Sequence, residues 1–143
     1  MKIVCPFITA GEPTVNKRVY SKEFLEKALE EYSKRVKQGI AYCEIETIEP
    51  NIVLNNCSHR VLDIKLNENQ NIECDIEILK TPMGKKLKEL FEMGKCSAHP
   101  MFIASTKIVT SETGECQETI NEGVVLINVG IIPVDAPEYP GRK

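Results

Sequence analysis

Residues 58–94 read SHRVLDIKLNENQNIECDIEILKTPMGKKLKELFEMG, and this stretch decides the fold. Apolar residues alternate with polar ones over 61–66 and again over 72–78, on either side of the polar turn 67–71. Such alternation is typical of strands with one buried face, so the pattern predicts a β-hairpin. Thr81 and Pro82 then predict a helix start, because threonine caps helices and proline lacks the N–H that the first turn leaves unbonded.

The hairpin lies between two predicted amphipathic helices. The first begins after the cap Ser21, ends at Gly39 and carries an apolar stripe of helical period: Phe24, Leu25, Ala28, Leu29, Tyr32 and Val36. The second ends at Gly94 and buries Met83, Leu87, Leu90 and Phe91. Further strands are predicted at the N-terminus and near 96–109, 115–120 and 123–132. The pattern therefore predicts an α+β fold, a mostly antiparallel sheet or barrel with both helices packed against it.

The size and composition are those of one globular domain. A chain of 143 residues with 42% hydrophobic and 27% charged side chains is long enough to bury a core. We expect residues 1–143 to form one domain, ending in an irregular proline-rich arm over 132–143, because proline cannot continue a strand ladder.

Several classes of protein are disfavoured by the same sequence. The net charge of −3 and the lack of a basic run argue against nucleic-acid binding. No apolar stretch approaches the roughly 20 residues that span a bilayer, and the N-terminus has no cleavable signal. Six scattered cysteines, without a CxxC pair, are then expected to be reduced and partly buried, which favours synthesis in a cytoplasm.

Four segments, in order and spanning nearly the whole chain, carry a family resemblance. They are the helix entry NKRVYSKE (16–23), the strand SHRVLD (58–63), the element IEILKTPMGK (76–85) and the closing strand NVGIIPVDAP (128–137). They resemble the tailed-phage prohead core proteases, serine proteases related to herpesvirus assemblins that cleave scaffold and capsid proteins inside the immature head. The resemblance implies a prohead-protease-like fold.

The resemblance also implies a serine–histidine site. His59 corresponds to the family's general base, on a strand where alternation predicts that it shares a face with Cys57, Val61 and Asp63. The nucleophile belongs in a G-V-S-S-R-G strand after the second helix, where this chain reads GKCSAHPM (94–101). In one register Ser97 is the nucleophile; in the other, a histidine or a proline stands in its place. A carboxylate would orient the imidazole: Glu44, Asp63 or Asp135.

The segments around this chemistry depart from the family pattern. The arginine and glycine that follow the serine are missing, and Pro100 removes a backbone N–H donor. The family's G-E-L-D-H-P stretch keeps only its glutamate, as Glu44, in CEIETI (43–48). Scaffold segments are thus kept while catalytic segments have changed, which favours a catalytically degenerate member. We also expect no removable C-terminal extension, because the sequence ends shortly after the closing tail.

A zinc site is a further hypothesis. Cys57 and His59, together with Cys96 and His99, supply two thiols and two imidazoles, the ligands of structural zinc. The C-x-H spacing is unusual for zinc, and neither pair corresponds to a metal site in the resembled family, so buried unligated cysteines are the preferred interpretation and no cofactor is expected.

Two functions remain open at this stage. The first is a phage virion structural protein, an auxiliary or decorating capsid component on a degenerate protease fold. Its partners would be the major capsid protein, other head proteins and further copies of itself. It would occupy the host cytoplasm during assembly and then the virion. The second is an active serine-type maturation protease using Ser97, His59 and an orienting acid such as Glu44.

Overall fold

The computed structural model describes residues 1–14, 18–46, 52–110 and 116–133; side chains are described for all of these except 103–124 and Pro133. In chain order the elements are β1 (Lys2–Thr9), β2 (Arg18–Tyr20), α1 (Lys22–Lys37), β3 (Tyr42–Glu44), a 3-10 turn (Leu54–Asn56), β4 (Cys57–Leu66), β5 (Asn71–Ile78), α2 (Pro82–Met93), β6 (Cys96–Thr110) and β7 (Cys116–Pro133). Asn16 and Lys17 of the family-like helix entry lie outside the described residues.

The strands form two sheets. One has the order β1-β5-β4-β3 and is antiparallel throughout; the other has the order β2-β7-β6, in which only the short β2 runs parallel to its neighbour. α1 packs on β4 and β7, and α2 packs on β4 and β5. The predicted α+β class, a mostly antiparallel sheet with two packed helices, is confirmed.

The β4–β5 hairpin forms as predicted, but its first strand contains a bulge. Val61 lies opposite Ile76 and Asp63 opposite Asp75, so Leu62 is one residue too many for the ladder. The extra residue reverses the alternation: Val61 and Ile64 are both buried, while Leu62 and Asp63 are exposed. The prediction that Asp63 shares the face of His59 was therefore wrong, since alternation alone does not reveal a bulge.

Residues 116–133 form one strand where the sequence predicted two. Its pairing with β6 shifts register between Ile103 and Ser105 and again between Ser105 and Thr106. The polar residues between the two predicted strands, which suggested a turn, instead pair irregularly with β6 within one continuous ladder. The strand also runs through Ile132 to Pro133, the first two positions of the predicted arm; the remainder of that arm, 134–143, lies outside the described residues.

Both helices have the predicted caps. The Ser21 hydroxyl accepts a hydrogen bond from the Phe24 N–H at 3.2 Å, and Gly39 ends α1 in the left-handed region at φ 73°. At α2 the Thr81 hydroxyl accepts from the Gly84 N–H at 2.9 Å and donates to the Cys57 carbonyl at 2.8 Å. The second bond fixes the start of α2 to the start of β4.

The core lies between the helices and the sheets and contains most of the described cysteines. Cys5, Cys43, Cys57 and Cys74 are free thiols and buried, and Cys96 is free and half-buried. Tyr32 on α1 contacts Cys43 on β3 through its hydroxyl, 3.2 Å from the sulfur. These thiols act as small apolar side chains, as predicted.

None of the helices that the structure describes is long and apolar enough to span a membrane.

Gly84 should be indispensable for the junction between β5 and α2. A Cβ at this position would lie 1.9 Å from the Leu79 carbonyl oxygen, which is backbone and cannot move aside alone. We expect Gly84→Ala to lower the free energy of unfolding by about 1–3 kcal/mol, the usual cost of overpacking, measured by urea denaturation. Gly94→Ala is the matched control, because a Cβ there meets nothing within 4 Å. Equal stability of the two variants would contradict this packing.

Candidate functional site

His59 lies at the centre of the predicted site and is completely buried. Its Nδ1 is 2.7 Å from the Ser58 hydroxyl, and its Nε2 is 2.6 Å from the Val129 carbonyl oxygen. A carbonyl can only accept, so Nε2 carries the proton and Nδ1 accepts from Ser58. The network thereby assigns the tautomer, and both ring nitrogens are bonded inside the protein.

Burial also fixes the charge of this imidazole. Removal from water lowers the pKa of His59 from its ordinary 6.5 to about 4, and the bond to the Val129 carbonyl opposes this effect only in part. The ring is therefore neutral at pH 7.

The contact with Val129 is one of several hydrogen bonds that join the two sheets. We call this set of contacts the seam; it links Glu44, Ile45 and His59 to Asn128, Val129 and Ile131. The Asn128 side chain accepts from the Glu44 N–H at 2.9 Å and donates to the Glu44 carbonyl at 3.1 Å. Next along β7, the Ile131 N–H donates to the Ile45 carbonyl at 2.9 Å. Glu44 of β3, Ile45 directly after it and His59 of β4 thus supply hydrogen-bond partners to residues 128–131 of β7.

Gly130 allows the close approach at this seam. A Cβ here would lie 2.7 Å from the Ile45 carbonyl oxygen and 3.2 Å from that of His99. Any side chain would push the residues after β3 away from β7, so the seam needs glycine at this position.

Glu44, predicted to orient the imidazole, is buried next to the seam. Its carboxylate accepts from the Val53 N–H at 3.4 Å, while its main chain is bonded by Asn128. Burial raises the pKa of the Cys57 thiol, and the charge of Glu44 raises it further. The bonds of the His59 ring go to Ser58 and Val129, so Glu44 does not orient it. Of the other candidate acids, Asp63 is exposed beyond the bulge, and Asp135 lies outside the described residues.

Ser97, the predicted nucleophile, is buried on β6 opposite Ile132. Pro100, the residue opposite Val129, is three positions further along the strand. At roughly 3.3 Å per residue, Ser97 lies about 10 Å along β6 from the point where His59 meets the sheet. The described hydrogen bonds of the His59 ring go to Ser58 and Val129, and none of them goes to Ser97.

The hypothesised zinc set is not assembled. Among residues whose side chains the structure describes, no group of three or more His, Cys, Asp or Glu could hold a metal ion. The Cys57 sulfur lies 3.5 Å from the Val53 carbonyl oxygen, and the His99 ring makes an edge contact with Phe7, with centroids 5.5 Å apart. With both nitrogens of His59 engaged, no pair of imidazoles is available as ligands.

Sequence reasoning missed the residues that hold the seam together. Ser58 lies within the family-like strand 58–63, and Asn128 and Gly130 lie within the closing strand, where these patterns do not indicate a hydrogen-bonding role. A signal was present, because one amide and one glycine interrupt the apolar run 124–132. A buried amide needs hydrogen-bond partners, and a strand glycine often marks a close backbone approach.

Comparisons with known proteins agree with this architecture. No protein-family model matches the chain, and no curated protein matches it in sequence. Among solved structures it is similar to the bacteriophage T4 capsid assembly protease, gp21, with a TM-score of 0.75 and 22% sequence identity. The superposition covers 92% of this chain and 81% of the T4 chain. The chain therefore has the fold of a tailed-phage prohead protease, as its sequence predicted.

Proposed function

We propose that this protein is a structural component of a tailed-phage head, an auxiliary or decorating capsid protein built on a protease fold that no longer cleaves. The observation that carries the proposal is the state of His59. Its ring is completely buried and both nitrogens are bonded within the protein, to Ser58 and Val129.

A general base must offer a free acceptor nitrogen to the nucleophile. In His59 the only acceptor is Nδ1, which the Ser58 hydroxyl occupies at 2.7 Å, while Nε2 is a donor to a carbonyl. Ser58 cannot replace Ser97 as nucleophile, because it is itself fully buried and no peptide carbonyl can reach it. The histidine supports the fold in this arrangement and does not take part in proton transfer.

The segment around Ser97 supports the same proposal. Acyl transfer needs donors for the developing oxyanion, usually backbone N–H groups next to the nucleophile or a nearby cation. Pro100 has no N–H, and the arginine and glycine that the resemblance implies after the serine are absent. Proline is acceptable here because β6 is the edge strand of its sheet.

The proposed partners follow from the fold and from what its structural neighbour assembles. The T4 protein acts in capsid assembly, so we propose that this chain associates with the major capsid protein, with other head proteins and with copies of itself. Assembly would take place in the host cytoplasm and the protein would remain in the virion as one domain. The proposal requires no cofactor, nucleic acid or membrane.

A working maturation protease is the second candidate. The structural neighbour is a protease, and Ser97 and His59 lie on the strands where the family resemblance places them. This function requires the His59 ring to leave Val129 and Ser58, and Ser97 to approach it with Glu44 or another acid as the orienting group.

Substitution of Ser97 separates the two functions. In the phage that encodes this chain, we expect Ser97→Ala to leave the processing of head proteins unchanged, as judged by gel electrophoresis and mass spectrometry of purified heads. We also expect mature virions to contain many intact copies of the protein. Ser33→Ala, a remote change on α1, is the matched control for assembly. Unprocessed head proteins in the Ser97 variant alone would support the protease and overturn the structural proposal.

The buried neutral state of His59 predicts a dependence of stability on pH. Because the pKa falls from 6.5 in the unfolded chain to about 4 in the fold, the unfolded state binds more protons between these values. The stabilisation is fully present above pH 6.5 and is lost as the pH falls to 4, a change of about 3 kcal/mol.

His59→Gln is the variant that isolates this effect. Glutamine at this position cannot titrate. Between pH 7 and pH 4 the free energy of unfolding should therefore fall by about 3 kcal/mol less in the variant than in the native chain. Urea denaturation at each pH measures this difference. The carboxylates titrate in both proteins and cancel in the difference. Parallel stability curves would show that His59 is accessible to protons in the fold, as a catalytic base would be.

A further inference from the structure

An open apolar groove of about 850 Å³ runs along α2, outside the predicted site. One wall is formed by the end of β5 and the residues that follow it, the other by α2; its apolar lining comes from Met1, Ile78, Leu79, Pro82 and Phe91. The Met1 amino group is held by the Asp75 carboxylate at 2.8 Å and by the Ile76 carbonyl at 3.1 Å, which fixes that end of the groove. Gly84, at the start of α2, also lines the groove.

The charges around the groove are mostly positive. Lys80, Lys85 and Lys88 line it and are exposed, while Glu92 is the one acidic side chain among the lining residues that the structure describes. An occupant with apolar side chains and carboxylates would therefore match both the lining and the rim of the groove.

The C-terminal sequence of this chain has that composition. Residues 134–143 read VDAPEYPGRK, in which Asp135 and Glu138 alternate with apolar residues and two prolines. Prolines restrict a free peptide, so it loses less conformational entropy on binding.

The end of β7 also lies close enough to reach the groove. Pro133 pairs with Cys96, only three residues after α2 ends at Met93. Ten residues in extended form reach at most about 33–36 Å, whereas the 12 residues of α2 span about 18 Å. The length is sufficient for the segment to turn back along the helix within one molecule.

We propose that the groove along α2 is the docking site of residues 134–143 of the same chain, with Asp135 and Glu138 facing Lys85 and Lys88 and with Tyr139 against the apolar lining. The proposal does not depend on whether the protein cleaves peptides, because the groove is separate from His59 and Ser97.

Zero-length carbodiimide coupling of the full chain tests this arrangement. The reagent joins a lysine amine to a carboxylate only when the two are in contact, and peptide mass spectrometry identifies the joined residues. We expect products between Lys85 or Lys88 and Asp135 or Glu138 in monomeric protein. The double variant Lys85→Glu with Lys88→Glu should lose them, and the addition of Asp135→Lys and Glu138→Lys should restore coupling with reversed partners.

Lys86→Glu is the matched control, because Lys86 is exposed on α2 but does not line the groove. It should leave the products unchanged, and circular dichroism should show that all variants stay folded. Coupling of the tail to Lys86 as readily as to Lys85 and Lys88 would overturn the proposal. So would products found only between two copies, or no product at all in the native chain.

Discussion

The hydrogen bond from His59 Nε2 to the Val129 carbonyl joins the two sheets, and both residues are fully buried. Without it, the Val129 carbonyl would face a dry interior unpaired, which costs about 1–3 kcal/mol. The bond requires a neutral ring protonated on Nε2, and Ser58 secures this state by donating to Nδ1. The rest of the seam, from the Asn128 amide to the Gly130 approach, depends on the same spacing between β3, β4 and β7.

This constraint links the fold to the question of activity. In a serine protease the imidazole is held by one nitrogen and offers the other to the nucleophile. Here the second nitrogen is used to hold the sheets together, and burial keeps the ring uncharged. A histidine can therefore serve either catalysis or assembly of the core, depending on which groups its two nitrogens meet.

Two local contacts fix the position of α2 and, with it, the groove beside this helix. The Thr81 cap ties α2 to the start of β4, only two residues from His59. Because Gly84 packs directly on the Leu79 carbonyl, α2 lies close against the residues that follow β5, and the groove has these residues as one wall and α2 as the other. A small residue next to a cap thus sets the packing of the helix against the residues that form the other wall of the groove.

The sequence by itself determined the two helices, the β4–β5 hairpin, the α+β class and the similarity of the fold to prohead proteases. Helix caps, apolar stripes and period-two alternation are local signals that each element carries within its own residues. These signals located α1, α2 and the β4–β5 hairpin, and the order of the four family-like segments predicted a prohead-protease-like fold.

Only the tertiary structure decided where the chemistry-bearing side chains lie. The bulge at Leu62 moved Asp63 to the exposed face, and the hydrogen bonds of His59 went to Ser58 and Val129. Val129 is 70 residues from His59 along the chain. Such a contact depends on the register and packing of separate strands, which no local pattern specifies. The residue types that form a site can be read from the sequence, but their mutual distances are set by the assembled core.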